Sequence, residues 1–157
     1  MFGKKARSEK QDVIEPMSCA IAMAYEITAN NLSALGLRLG DAAKQVDGLE
    51  GDHKYEISDW ILSVCDGLDT LRAALEDKDA EKAKEANSAL TLIVGEKVVD
   101  LAKRLNSAGD DDRSQLHEMF RIASAVQRDM VLHMVMPKRY IKALALFESS
   151  IGRQHLR

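Results

Sequence analysis

The chain has 157 residues, enough for one domain with a real core, and its 2 prolines, 9 glycines and 4% aromatic residues point to an all-helical protein. Its net charge of −3 hides a segregation: Lys4, Lys5, Arg7 and Lys10 are set against only Glu9 at the start, and Lys138, Arg139, Lys142, Arg153 and Arg157 against only Glu148 at the end. The body between is acidic, which argues against nucleic-acid binding, because a duplex needs a basic face rather than basic ends.

Residues 1–11 are polar and basic and read as a mobile arm. A single bundle domain is expected over 12–152, with a frayed tail at 153–157. Pro16 suits the first turn of a helix, where its missing N–H costs nothing, and helix one runs from there to about Val46. Ile14, Met17, Ile21, Ala24, Thr28, Leu32, Leu35, Leu39 and Val46 form its apolar stripe, at steps of three and four. Across residues 16–37 the only charge is Glu26. The reverse face carries Ser18, Cys19, Ala22, Met23, Ala29, Asn30 and Ser33, where a surface helix would carry Lys and Glu. A helix uncharged all round predicts a buried one, so helix one is expected at the centre of the fold. Gly36 and Gly40, four apart, mark either a close helix approach or a bend, and the bend is favoured.

Gly48 to Asp52 reads as a turn with Asp52 as N-cap, and helix two follows to Glu76. Ile57, Ile61, Val64, Leu68, Leu71 and Leu75 make its heptad stripe, flanked by Trp60, while Glu56, Asp59, Asp66 and Asp69 form an acidic reverse face. Asp77-Lys78-Asp79 is a tight connection, which makes its two helices antiparallel neighbours. Helix three spans Ala80 to about Asn106, lined by Ala83, Asn87, Leu90, Val94, Val98, Leu101 and Leu105. Residues 90–94 have strand-like propensity but helical flanks. Residues 107–112 form the next turn, and Asp112 with Gln115 has capping-box spacing. Helix four then buries Leu116, Phe120, Ala123, Gln127, Met130 and Met134. Its last turns, Met130 to Met136 with Leu132 among them, are apolar on every face. Pro137 kinks it or begins a fifth helix from Lys138 to Ile151, striped by Ile141, Leu144, Phe147 and Ile151. The fold class is therefore an antiparallel up-down bundle of four long helices with a fifth C-terminal helix.

In that topology the start of helix one and the end of helix four share one end of the bundle. That end is apolar, collared by the basic residues 4–10 and 138–142, and is expected to be covered by helix five, a second copy or a partner. Cys19, Ala22, Met23, Ala29, Asn30, Ser33, Leu132 and Met136 are the expected interaction surface, and a homodimer the expected state.

Chemistry is scarce. The only Glu-x-x-His, Glu50 to His53, falls in a turn around Gly51 and does not fit a di-iron bundle. Asp129, His133 and His117 are the weak metal candidates, and an i,i+4 polar pair is the preferred reading of the first two. No Gly-rich loop follows a strand, no strained turn presents a nucleophile, and His117 and His133 lack the lysine and glycine that should follow a phosphotransfer histidine. Cys19 and Cys65 lack CxxC spacing and basic neighbours and read as buried structural thiols of a reducing, bacterial-type cytoplasm. Glu15 and Pro16 break any secretory h-region, and no apolar run is long enough for a membrane span. No cofactor and no catalytic residue is expected.

From Ser58 to about Val135 the chain resembles one half of a PhoU-type phosphate-signalling regulator. The resemblance is carried by A-A-L-E-D-K-D-A-E-K-A-K (residues 73–84), the long third helix, and Asp112-Arg113 leading into I-A-S-A-V-Q-R (residues 122–128). It implies a helical bundle and a regulatory style of function. It does not extend to the family's metal clusters, because Gln127 and Val131 stand where the acidic pair would be, and Glu96 with Asp100 lies on the preceding helix. The expectation is a non-catalytic regulatory or adaptor protein. The alternatives are a metal- or small-ligand-binding bundle, acting as sensor or enzyme, and a structural assembly component of a phage or secretion apparatus.

Overall fold

The computed structural model describes the backbone of residues 2–155 and the side chains of residues 19–149. It contains five α-helices and no strand among the described residues: α1 Phe2–Gln45, α2 Gly51–Glu76, α3 Ala80–Ser107, α4 Asp110–His133 and α5 Val135–His155. A 3-10 turn, Val46–Gly48, follows α1. Residues 90–94 lie inside α3. The side chains of the basic residues 4–10 and 153–157, and those of Ile14, Met17, Ser18 and Ile151, lie outside the described set.

In the bundle α1 touches α2, α4 and α5, while α3 touches α2, α4 and α5. Cross-helix pairs along α2 and α3 run in opposite order. Glu56 meets Arg104, the Trp60 Nε1–H donates to the Ile93 carbonyl at 3.3 Å, and Gly67 faces Leu90. A methyl added at Gly67 would stand 3.0 Å from Leu90 Cδ1, so this glycine makes room on α2 for the Leu90 side chain of α3. The core is one continuous cluster, with Leu32, Leu35 and Leu39 from α1, Ile57, Leu71 and Leu75 from α2, and Leu90, Val94 and Leu101 from α3. Met119, Ile122 and Ala123 from α4 and Tyr140 and Leu144 from α5 complete it.

Several elements depart from expectation. Helix α1 begins at Phe2 rather than near Pro16, so Pro16 is interior and has no N–H to offer the carbonyl of Asp12. Nor is α1 enveloped. Its stripe from Ile21 to Leu39 is buried, with Ala24 half-buried, but Cys19, Ala22, Met23, Ile27, Asn30 and Leu37 are exposed. Lack of charge marked an uncovered face, not a covered one. The N-cap of α2 is Glu50, and Gly51 takes the left-handed φ of +54° that starts the helix, leaving Asp52 within the first turn. Gly109 caps α4. The Gln115 Oε1 accepts from the Glu50 N–H at 3.0 Å, so it serves the start of α2 rather than a capping box with Asp112.

On α4 the buried set is Leu116, Met119, Ile122, Ala123, Val126 and Met130. Phe120 and Gln127 are only half-buried, which turns the inward face by about one residue, or ~100°, for part of its length. The break between α4 and α5 sits at Met134, where the chain bends before Pro137. Pro137 cannot continue α4, because its ring opposes the carbonyl of His133, yet it fits the first turn of α5. Helix α5 therefore begins at Val135, three residues before Lys138. It lays Tyr140 against α1, with the Tyr25 and Tyr140 ring centroids 6.0 Å apart and tilted at 57°.

Candidate functional site: the uncovered face of α1 and its surroundings

The face of α1 opposite the core is built by composition. Its inward stripe steps through Ile21, Thr28, Leu32, Leu35 and Leu39, so residues half a turn away point outward. There the chain places Cys19, Ala22, Met23, Ile27, Asn30, Ser33 and Leu37, with Glu26 the only charge between 19 and 37. Met23 is 66% exposed and Leu37 75%. Of the expected interaction residues, Cys19, Ala22, Met23, Asn30 and Ser33 are exposed on α1, and Ala29 is half-buried toward α2. At the end of α4, Leu132 is 71% exposed, whereas Met136 is half-buried in the first turn of α5. The expected interaction residues left out Ile27 and Leu37 on α1, Val131 and Val135 of the apolar segment 130–136, and Leu146 on α5, all exposed. Charge-free spacing at 23, 27 and 37 would have found the first two.

Helix α5 covers part of the apolar end. Tyr140, Ile141 and Leu144 are buried, and Met130 and Met134 with them. The cover is incomplete, as the exposed Val131, Leu132 and Val135 show.

The metal candidates do not converge. His133 Nδ1 stands 2.6 Å from the backbone carbonyl of Asp129, and since a carbonyl only accepts, that nitrogen carries the proton. The Asp129 side chain instead borders a cleft with Arg38, Asp41 and Gln45 on α1. His117 is exposed, 16 residues before His133 on one helix, which is about 24 Å of axial rise. Among the described residues, no group of three or more His, Cys, Asp or Glu side chains could hold a metal ion. Both cysteines are free. Cys65 is half-buried, and burial first, then Asp69 and Asp66, push its thiol up. Cys19 is exposed, contrary to the expectation of two buried thiols.

Polar contacts elsewhere join helix to helix. Glu56, expected on an acidic outer face, turns toward α3 and pairs with Lys97 at 3.1 Å and Arg104 at 2.7 Å. Arg121 on α4 pairs with Glu118 and donates to Gln45 Oε1 of α1 at 3.1 Å. His53 of α2 and Asp112 of α4 lie 3.7 Å apart. Alongside α3, an open groove of about 870 Å³ runs past Thr91, Leu92, Gly95, Val99 and Lys103 to Gln127 and Lys138.

Among the described residues no helix is long and apolar enough to cross a membrane. The chain is an all-α helical bundle, and in comparisons with protein-family models, curated proteins and solved structures it matched none.

Proposed function

We propose that this chain is a non-catalytic regulatory or adaptor protein of the cytoplasm that acts by docking, in the style of the PhoU-type regulators it resembles. One observation carries the reading: the face of α1 opposite the core is apolar or small, nearly uncharged, and left open by the other four helices. Scattered exposed apolar residues are ordinary on a protein surface. Here Cys19, Met23, Ile27 and Leu37 share one helix, and from residue 19 to residue 37 Glu26 is the only charged side chain on it. A second copy is the favoured occupant, because a face whose one charge is Glu26 meets itself across a two-fold axis with little like-charge repulsion. A partner protein with a similar helix is the other. The basic residues toward each end would steer docking to an acidic surface.

Light scattering on the purified chain and on Met23→Glu tests this. The wild type should run with the mass of two chains and Met23→Glu with that of one, at unchanged helicity by circular dichroism. Leu62→Glu, an equally exposed apolar position on α2, should leave the mass of two chains intact. Equal masses for the wild type and Met23→Glu would remove self-docking through this face.

A further inference from the structure

Around the join of α4 and α5, every exposed residue from 128 to 144 is either basic or aliphatic. Arg128, Lys138, Arg139 and Lys142 supply the charge, and Val131, Leu132 and Val135 are 63%, 71% and 47% exposed. Asp129 is the one acid in that stretch, and it is half-buried, bordering the cleft with Arg38 on the α1 side. In a chain of net charge −3 such a surface is out of keeping with its surroundings.

These residues share an outward side. Arg128 stands three and four residues before Val131 and Leu132 on α4, and Val135, Lys138, Arg139 and Lys142 recur at steps of three and four on α5. Met130, Met134, Tyr140, Ile141 and Leu144 fill the buried side. Both helices pack against α1 and α3, so their outward sides face away from the same two neighbours. The charges are not spent within the fold. Lys97, Arg104 and Arg121 each pair with a carboxylate, but among the described residues Arg128, Lys138, Arg139 and Lys142 make no ion pair. Glu81 of α3 borders a cleft with Lys138 and Lys142, and Lys84 beside it offsets its charge.

A protein partner would be met by aromatic anchors and pockets, and protein interfaces are poor in lysine. Here no aromatic residue is exposed between 128 and 144, and Val131, Leu132 and Val135 stand outside the clefts along α1 and α3. A bilayer needs neither anchors nor pockets. Protruding aliphatic side chains enter the boundary between headgroups and acyl chains, while Lys and Arg beside them meet anionic headgroups. We infer that the outward side of the α4–α5 join is a docking surface for an anionic lipid bilayer, on which the bundle lies without crossing it. The inference stands apart from self-docking through α1, which carries no positive charge between residues 19 and 37.

The test is sedimentation of the full chain with vesicles of phosphatidylcholine, with or without one-third phosphatidylglycerol. The chain should bind the phosphatidylglycerol vesicles saturably, less as sodium chloride rises, and the neutral vesicles far more weakly. Each Lys or Arg at an anionic surface is worth about fivefold, so changing Lys138→Gln, Arg139→Gln and Lys142→Gln together should weaken binding about a hundredfold. Leu132→Ser should weaken it about tenfold, the worth of one leucine taken from water. All four side chains are exposed, so helicity by circular dichroism should not change. Lys44→Gln, Lys103→Gln and Arg113→Gln together remove the same charge at the other end of the bundle and should leave binding close to that of the wild type. Equal binding to the two vesicle types, or none to either, would overturn the inference. So would wild-type affinity in the variant lacking Lys138, Arg139 and Lys142, which would move lipid binding to the basic run at residues 4–10. Wild-type affinity in Leu132→Ser would overturn it too, leaving a charge attraction without a docked face.

Discussion

Glu56 reaches across from α2 to hold two cations of α3, and its titration is tied to that bond. Burial pushes its carboxyl up, but hydrogen bonds from Arg104 and Lys97, together with their charges, outweigh burial and hold it below its ordinary 4.5. A carboxylate lowered in the folded state adds stability that is complete above its ordinary value and is lost as pH falls through the folded-state value. Glu56→Gln should therefore cost about 1–2 kcal/mol at neutral pH, at the low end of charged bonds because solvent reaches all three side chains. Denaturation followed from pH 7 down to below 4.5 should show the gap between wild type and Glu56→Gln closing. A gap constant with pH would mean that the pair does not form. Glu56 also shows a limit of reading side chains from periodicity. It shares a helix face with Asp59 and Asp66 by spacing, yet it lies half-buried while they are exposed, because α3 supplies Lys97 and Arg104 at its level. That partner lies some forty residues on, beyond any local pattern. The same holds for Arg72, whose Nη2 donates to the Leu32 carbonyl of α1 at 2.9 Å, forty residues back.

At the scale of elements, the join between α2 and α3 is the best determined. The Asp79 N–H bonds the Ala74 carbonyl at 3.0 Å and the Lys78 N–H that of Leu75 at 3.1 Å, the pair of bonds that ends a helix in a Schellman turn. Asp79 then caps α3, its Oδ1 accepting from the Lys82 N–H at 3.1 Å. Lys78, with φ of 55°, fills the left-handed position that glycine prefers. Lys78→Gly removes that strain at some cost in unfolded-chain entropy, and should raise stability by about 0.5–1 kcal/mol in urea denaturation. A loss of stability would mean that the Lys78 side chain contributes more than its backbone strain costs. This join was legible because each signal is local: a tight Asp77-Lys78-Asp79 connection, a heptad stripe on α2, an alanine-rich start to α3. The inward face of α4 was not, since Phe120 and Met119 compete for the core at adjacent positions. Met119 wins with its flexible chain fully buried, and the aromatic ring of Phe120 stays at the edge.

For the whole molecule, α1 is decisive. At 44 residues it is about 66 Å long, against about 39 Å for the 26 residues of α2. No single neighbour can flank it from end to end. The lack of charge on residues 16–37 was legible in the sequence, but its meaning depended on how much of that circumference the other helices would cover. Helix α5, bent back at Met134, covers the Tyr25 side and leaves the side of Met23 and Leu37 open. The proposed function therefore rests on whether that open side is docked. Cys19 is an exposed thiol on the same face, while Cys65 on α2 is half-buried with its thiol pushed up. The most direct measurement is the rate at which a thiol reagent labels each cysteine, followed across a hundredfold range of protein concentration. Docking of a second copy on α1 predicts that Cys19 labels much faster than Cys65 in dilute solution and is progressively protected as concentration rises, with Cys65 unchanged. A Cys19 rate that stays constant over the whole range would contradict it.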